Sequence, residues 1–207
     1  MKEKRTYTMR ARAASVEDTR TRIQEAMFEL GTVRPFAGIS LDDVATEARV
    51  SVQTVLRHFG SRAGLAEATM EYAASRITRE RETPVGDVPA AMRVLLDHYE
   101  LRGDTALLML SQERDDPQMR RMTDNGRGLH RRWVTDVFAP YVEASDDPQR
   151  LIDLLVVATD VYAWKLLRHD RGLSRSRTQE RMTALVDAVL AGEHRDRRSS
   201  RCPTSSS

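Results

Sequence analysis

Residues 39–62, ISLDDVATEARVSVQTVLRHFGSR, decide the fold of this chain. Ser40 is a favourable helix N-cap, and Asp43 stands three residues later, so the pair has the S-x-x-D spacing of a capping box. Apolar residues then recur at helical spacing until Arg49 interrupts the pattern. The spacing predicts a short helix that begins just after Ser40.

A second short helix follows in the same stretch. Ser51 can cap it, and its apolar positions run to Phe59. Two short helices joined by a turn of about three residues match the motif that lays its second helix in the major groove of DNA. The alternative is a pair of surface helices at an ordinary corner of a helical bundle.

The polar residues of the second helix favour the DNA-binding interpretation. Gln53 and Thr54 fall in its first turn, where a recognition helix meets base edges. Gln can form a bidentate pair with adenine, and Thr offers thymine a hydroxyl and a methyl group. Arg57 and His58 lie one turn further on, within reach of phosphates.

This region resembles the DNA-binding domain of the TetR family of transcriptional regulators. The resemblance covers residues 20–66, about a quarter of the chain. Its matching segments are the long first helix Thr19–Leu30, ISLDDVA at residues 39–45, and VS-x-x-T-x-x-x-HF-x-SR-x-x-L at residues 50–65. It implies a three-helix head followed by a larger helical domain.

Three positions depart from the family pattern. Leu56 stands where the family usually has a phosphate-binding Tyr, and losing one such contact weakens binding by about 1 kcal/mol. Arg49 replaces the usual Gly of the turn, so a positive φ at this position would strain the backbone. Arg62 replaces the usual Lys and keeps a positive charge for phosphate.

The predicted DNA-binding residues combine base readout with phosphate contacts. The N-termini of the two short helices contribute backbone N–H groups and a helix dipole, both of which attract phosphate. The set comprises Ser40, Ser51, Val52, Gln53, Thr54, Arg57, His58 and Arg62.

The composition is typical of a globular helical protein. Of 207 residues, 40% are hydrophobic and 31% charged, and the seven prolines and ten glycines lie mostly between helical patterns, which predicts an all-α fold. The net charge of +2 says little about nucleic acid. The basic N-terminus lacks the apolar core of a signal peptide, no apolar run is long enough for a membrane span, and the single Cys202 allows no internal disulfide. We therefore expect a cytoplasmic protein.

The chain divides into four predicted segments. Residues 1–14 form a disordered basic arm that either follows a DNA groove or is simply solvated. Residues 15–83 form the helix-turn-helix domain with a linking helix, which Ser61 caps and the prolines and glycine of residues 84–89 end. Residues 84–192 form a larger helical bundle for ligand binding and dimerisation, and residues 193–207 a disordered tail.

Two features of the larger domain set further expectations. The triplet at residues 102–104, Arg-Gly-Asp, is interpreted as a turn between two helices. The helix from Leu151 to about Tyr162 is apolar more than halfway round, which indicates burial on two sides. The resemblance implies that this helix and the last one, through Met182 and Leu190, pair with their copies in a homodimer, and a two-fold dimer favours a near-palindromic operator.

The resemblance also implies a small-molecule pocket in the larger domain. Met and aromatic residues at helical spacing are more often plain core, and that alternative stays open. His98, His130 and Asp160 are candidate polar anchors, although a satisfied or surface group is the competing interpretation for each. The side chains that could bind a small hydrophobic effector are Met92, Tyr99, Met109, Met122, Trp133, Phe138 and Trp164.

Enzymes and metalloproteins of the usual helical classes lack their motifs in this sequence. None of the five histidines follows an acid by three residues, as a di-iron bundle requires, and one cysteine offers no zinc cluster. Neither a P-loop nor a nucleophile elbow is present. We predict a non-enzymatic regulator without metal or cofactor, namely a repressor that a small molecule releases from operator DNA. The alternative is a helical ligand-binding or adaptor protein with a weakened DNA head.

Overall fold

The chain folds into α-helices. The computed structural model describes the backbone of residues 2–200 and the side chains of residues 14–193, and this range contains no strand, which confirms the all-α prediction. Two compact units divide the chain, Met1–Ile77 and Thr78–Ser207. Within the described range, no helix combines the length and the apolar character that crossing a bilayer requires.

The first unit is a helical head. Apolar side chains from its helices meet in an interior where Ile23, Met27, Val44, Val55 and Leu65 have no exposed surface. This shared core holds the two short helices against the long first one. The head contains α1 (Lys2–Val33), a 3-10 turn at Phe36–Gly38, α2 (Leu41–Glu47), α3 (Val52–Phe59) and most of α4 (Arg62–Glu80), whose last three residues belong to the second unit.

The second unit is a larger helical bundle. Its core is one cluster of side chains around Leu95, Leu96, Phe138, Leu155 and Met182, all fully buried. Four of its helices begin at an aspartate whose carboxylate accepts a first-turn N–H. The elements are α5 (Val88–Gln112), α6 (Pro117–Val137), α7 (Ala139–Ala144), α8 (Pro148–Ala158), α9 (Val161–Lys165), a π turn (Leu166–Asp170) and α10 (Arg175–Ser200).

Both ends of the chain are more helical than the sequence predicts. α1 begins at Lys2, so residues 2–14 are helix rather than a disordered arm. α10 likewise extends over residues 193–200 of the predicted tail. Neither segment contains a proline or glycine, so no local signal ends the adjoining helix. Met1 and residues 201–207, which include Cys202, lie outside the described residues.

α5 runs without a break through residues 102–104, where the sequence predicts a turn. Gly103 serves a helix contact instead, because a Cβ there would lie 2.4 Å from Cζ3 of Trp164. Arg102 is buried and forms two hydrogen bonds to the Glu80 carboxylate, at 2.8 and 2.9 Å. The triplet is therefore a packing site within one long helix.

Candidate DNA-binding interface

The predicted capping box holds the N-terminus of α2. Ser40 Oγ accepts the Asp43 backbone N–H at 3.1 Å, and Asp43 Oδ2 accepts the Ser40 N–H at 2.8 Å. The Ser40 hydroxyl also donates to Asp43 Oδ2, at 2.7 Å. This hydrogen bond, followed by that from the Ser40 N–H and by the Arg34 guanidinium 3.0 Å from Asp43 Oδ1, lowers the pKa of Asp43 to about 2. The carboxylate is therefore ionised at neutral pH and the start of α2 is well defined.

Arg49 lies in the turn between α2 and α3 with a φ of +55°. This is the positive φ that the family's glycine would adopt without strain. In an arginine it costs on the order of 1 kcal/mol. The Val50 N–H donates to the Ala45 carbonyl at 2.9 Å and closes the turn around Arg49.

α3 exposes its first turn. Ser51 Oγ accepts the Thr54 N–H at 3.1 Å, and the two hydroxyls share a hydrogen bond of 2.9 Å. Gln53 is exposed, whereas Val52 and Thr54 are partly exposed. The Gln53 amide is therefore free to meet a base edge, while the Thr54 hydroxyl is already engaged with the cap.

Arg57 and His58, one turn further along α3, differ in charge. Arg57 is exposed, while His58 is partly buried. Burial, followed by the nearby Arg57 and Arg20, lowers the pKa of His58 below its usual range. At neutral pH His58 is thus an uncharged hydrogen-bonding group, and Arg57 carries the positive charge on this part of α3.

Arg62 faces the interior of the first unit. Its Nε donates to the Ile39 carbonyl at 2.8 Å and its Nη2 to the Phe36 carbonyl at 2.5 Å. Its Cζ also lies 5.3 Å from the centroid of the Phe36 ring. A lysine has no planar fork for two such hydrogen bonds. In this structure Arg62 braces the connection between α1 and α2, a role that differs from the predicted phosphate contact.

Arg20 is a contributor that the sequence does not single out. Its Nη1 donates to the His58 carbonyl at 3.1 Å, and its Cζ lies 4.6 Å from the centroid of the Phe59 ring. Both contacts tie the C-terminus of α3 to α1. In the sequence Arg20 is one basic residue on a charged helix and looks like any solvated arginine.

The seven candidate effector residues all lie in the second unit. Met92, Phe138 and Trp164 are buried in its core. The Tyr99 hydroxyl donates to the Thr159 carbonyl at 2.7 Å, and Trp133 Nε1 donates to the Arg81 carbonyl at 3.0 Å. Met109 and Met122 are partly exposed. A surface depression of about 480 Å³ lies along α10 between Arg175 and Asp187 and includes none of the seven.

The candidate anchors His98 and His130 belong to a buried polar cluster with Arg81. Arg81 Nη2 donates to His130 Nδ1 at 2.8 Å. Burial, followed by the Arg81 charge, lowers the pKa of His98 to about 4 and that of His130 to about 3. Both rings are therefore neutral at physiological pH. The third candidate, Asp160, caps α9 by accepting the Tyr162 N–H at 2.8 Å.

A profile of the family described as "Bacterial regulatory proteins, tetR family" matches residues 23–69, which contain α2 and α3. No curated protein sequence matches the chain significantly.

Solved structures share the fold over most of the chain. A TetR-family transcriptional regulator from Streptomyces coelicolor, 20% identical, gives a TM-score of 0.64 and covers 86% of this chain and 96% of its own. A transcriptional regulator from Rhodococcus sp. Rha1, 17% identical, gives a TM-score of 0.62 over 84% of this chain and 96% of its own. The profile match on the helix-turn-helix and this shared architecture make the chain similar to the TetR family of transcriptional regulators, in its DNA-binding region by sequence and over most of its length by fold.

Proposed function

We propose that this regulator is a cytoplasmic repressor that binds a near-palindromic operator as a homodimer and leaves it when a small molecule binds. The exposed first turn of α3 carries the proposal. The Ser51 cap fixes its start and Arg20 fixes its end, so the Gln53 amide is presented from a rigid element. A rigid element is what bidentate recognition of adenine requires.

Exposed apolar side chains in the second unit support the homodimer. Leu154 and Val157 on α8 are 41% and 69% exposed, and Leu185 on α10 is 47% exposed. Tyr162 and Leu166, between those helices, are also more than half exposed. A second copy of the chain would cover such surface and place two heads on one operator, each reading one half-site.

Release by a small molecule follows from linkage. An effector that binds the second unit weakens DNA binding only as far as it prefers the state with low DNA affinity. The second unit supplies a large apolar core with several aromatic side chains, which suits an effector with an apolar part.

The proposal is tested by selecting bound sequences from a random duplex pool and titrating the selected DNA with salt. We expect one near-palindrome to be enriched and the affinity to fall steeply with salt. The Gln53→Ala variant should lose preference among sequences while keeping its non-specific affinity. Equal loss on all sequences would remove Gln53 from base readout.

A second candidate is an adaptor protein whose head has lost DNA specificity. Leu56 favours it, because a side chain 40% exposed on α3 is apolar where the family has a phosphate-binding Tyr. The internal contacts of Arg62 point the same way, since they engage another group expected to reach phosphate. Weak, salt-sensitive binding without an enriched sequence would support this candidate over the repressor.

A further inference from the structure

Arg81 is a buried cation with no acidic partner among the side chains that the structure describes. It follows α4 and is 5% exposed. Its Nη2 donates to His130, but its Nε is buried without a hydrogen-bond partner. Burial lowers the pKa of Arg81, and no described carboxylate acts against that shift. Buried guanidinium groups are normally paired, because an unpaired charge in a protein interior is costly.

The neighbouring acid does not neutralise Arg81. Glu80 is held by Arg102, which donates to both of its carboxylate oxygens. Glu80 Oε2 also lies 3.4 Å from His98 Nδ1, but that contact lacks hydrogen-bond geometry and leaves the buried nitrogen unpaired. Both histidines are neutral, and the charge of Arg102 is paired with that of Glu80. The one unpaired positive charge in the cluster is therefore that of Arg81.

His130 is satisfied by neutral groups and cannot supply the missing charge. Because a guanidinium only donates, His130 Nδ1 accepts and Nε2 carries the ring proton. That nitrogen lies 3.1 Å from Thr159 Oγ1, whose hydroxyl donates to the Leu155 carbonyl at 2.6 Å. The hydrogen-bond chain runs from Arg81 into the backbone of α8 without meeting a negative charge.

We propose that the second unit binds a small organic monocarboxylate whose carboxylate pairs with Arg81 at the unpaired Nε. A single negative charge matches the single unpaired positive charge, whereas a dianion such as phosphate would leave a negative charge in the interior. Carboxylate oxygens also suit the N–H groups of a guanidinium. The proposal gives a chemical class to the effector of the proposed repressor, and it rests on that function only for any effect on DNA.

An aromatic wall beside Arg81 suits the apolar part of such a molecule. The Trp133 ring lies 4.5 Å from Arg81 Cζ and stacks on His130 at 5.8 Å between centroids, with 15° between the planes. Trp133 is partly exposed, so one edge of this stack reaches the surface. A carboxylate that bears a ring or a short alkyl chain combines a negative charge for Arg81 with an apolar part for the Trp133 ring.

The test measures binding to the whole protein without DNA. The two tryptophans of the chain, Trp133 and Trp164, both lie in the second unit, so tryptophan emission follows the unfolding of that unit. We expect benzoate or hexanoate to raise its thermal midpoint saturably at constant ionic strength, and benzamide and hexanamide to leave it unchanged. No rise with either carboxylate, or an equal rise with the amides, would overturn the proposal.

A variant pair assigns the effect to Arg81. Arg81→Met keeps the backbone carbonyl that accepts from Trp133 and removes the charge, so its apparent affinity for the carboxylate should fall more than tenfold. Arg131→Met, which removes a surface arginine paired with Asp153 at 2.6 Å, should bind as the wild type does. Equal binding by Arg81→Met would refute the assignment. If this variant does not fold, the comparison of carboxylates with amides on the wild-type protein still tests whether the second unit binds a carboxylate. Carboxylate binding with unchanged DNA affinity would contradict the repressor proposal alone.

Discussion

Arg49 has a strained backbone conformation in the turn of the helix-turn-helix. Its φ of +55° is one that glycine adopts without strain. We expect Arg49→Gly to be about 1 kcal/mol more stable than Arg49→Ala, because both remove the charge and only glycine removes the strain. Chemical denaturation followed by circular dichroism measures the difference. At Arg57, inside α3, the order should be reversed, with Ala more stable than Gly.

Arg62 is the residue for which sequence and structure give opposite expectations. Its two hydrogen bonds to Ile39 and Phe36 predict that Arg62→Ala destabilises the first unit by about 1–3 kcal/mol. The salt dependence of DNA binding should keep its slope. The exposed Arg57 is the matched control, since Arg57→Ala should reduce that slope by about one for each bound head with little change in unfolding. A reduced slope for Arg62→Ala would restore its phosphate role.

At the scale of elements, helix starts are predictable because their signals are local. The serines that begin α2, α3 and α4 can be identified from spacing alone, and each caps its helix. The turn that the sequence predicts at Gly103 is wrong because the role of this glycine depends on Trp164, which lies far along the chain. The exposed polar residues of α3 were predictable from helical periodicity. The inward direction of Arg62 and Arg81 was not, because tertiary contacts set it.

The close contact between α5 and α9 leaves no room for a Cβ atom at Gly103. Alanine would raise helix propensity by about 1 kcal/mol. Its Cβ would overlap the Trp164 ring, which is also tied by a hydrogen bond from Nε1 to Glu100 at 3.1 Å. We expect Gly103→Ala to destabilise the second unit by about 1–3 kcal/mol, measured by tryptophan emission in denaturant. Gly126→Ala in α6, where a Cβ meets nothing within 4 Å, should stabilise instead. Stabilisation in both variants would contradict the packing role.

The buried histidines of α5 and α6 make the second unit sensitive to acid. His98 and His130 have folded pKa values of about 4 and 3, below the unfolded value of about 6.5. The unfolded state therefore binds more protons, and the free energy of unfolding should fall as pH drops from 6.5, by up to about 1.4 kcal/mol per pH unit for each ring.

Denaturation between pH 6.5 and pH 5 measures this dependence before the carboxylates titrate. His98→Gln and His130→Gln should each flatten the slope. A slope unaffected by either buried variant would show that these rings do not control acid stability.

For the whole molecule, dimerisation determines whether one DNA-binding head or two contact the operator. Val157 on α8 is 69% exposed, and a charge there should prevent a second copy from covering the apolar face. We expect Val157→Glu to be monomeric by sedimentation equilibrium and to lose affinity for a palindromic site far more than for non-specific DNA. Leu101→Glu, at a leucine that is 65% exposed on α5, is the control and should remain dimeric. A dimeric Val157→Glu would place the interface elsewhere.

The π turn after α9 predicts a difference in length between this chain and related sequences. The Arg171 N–H reaches back five residues to the Leu166 carbonyl, at 3.0 Å, where an α-helix would reach back four. The turn therefore holds one residue more than an α-helical path needs, and a residue corresponds to about 100° of rotation around a helix. We expect an alignment of related genes to show a single-codon insertion between positions 166 and 170. Relatives without it would carry the residues after Trp164 on a rotated face.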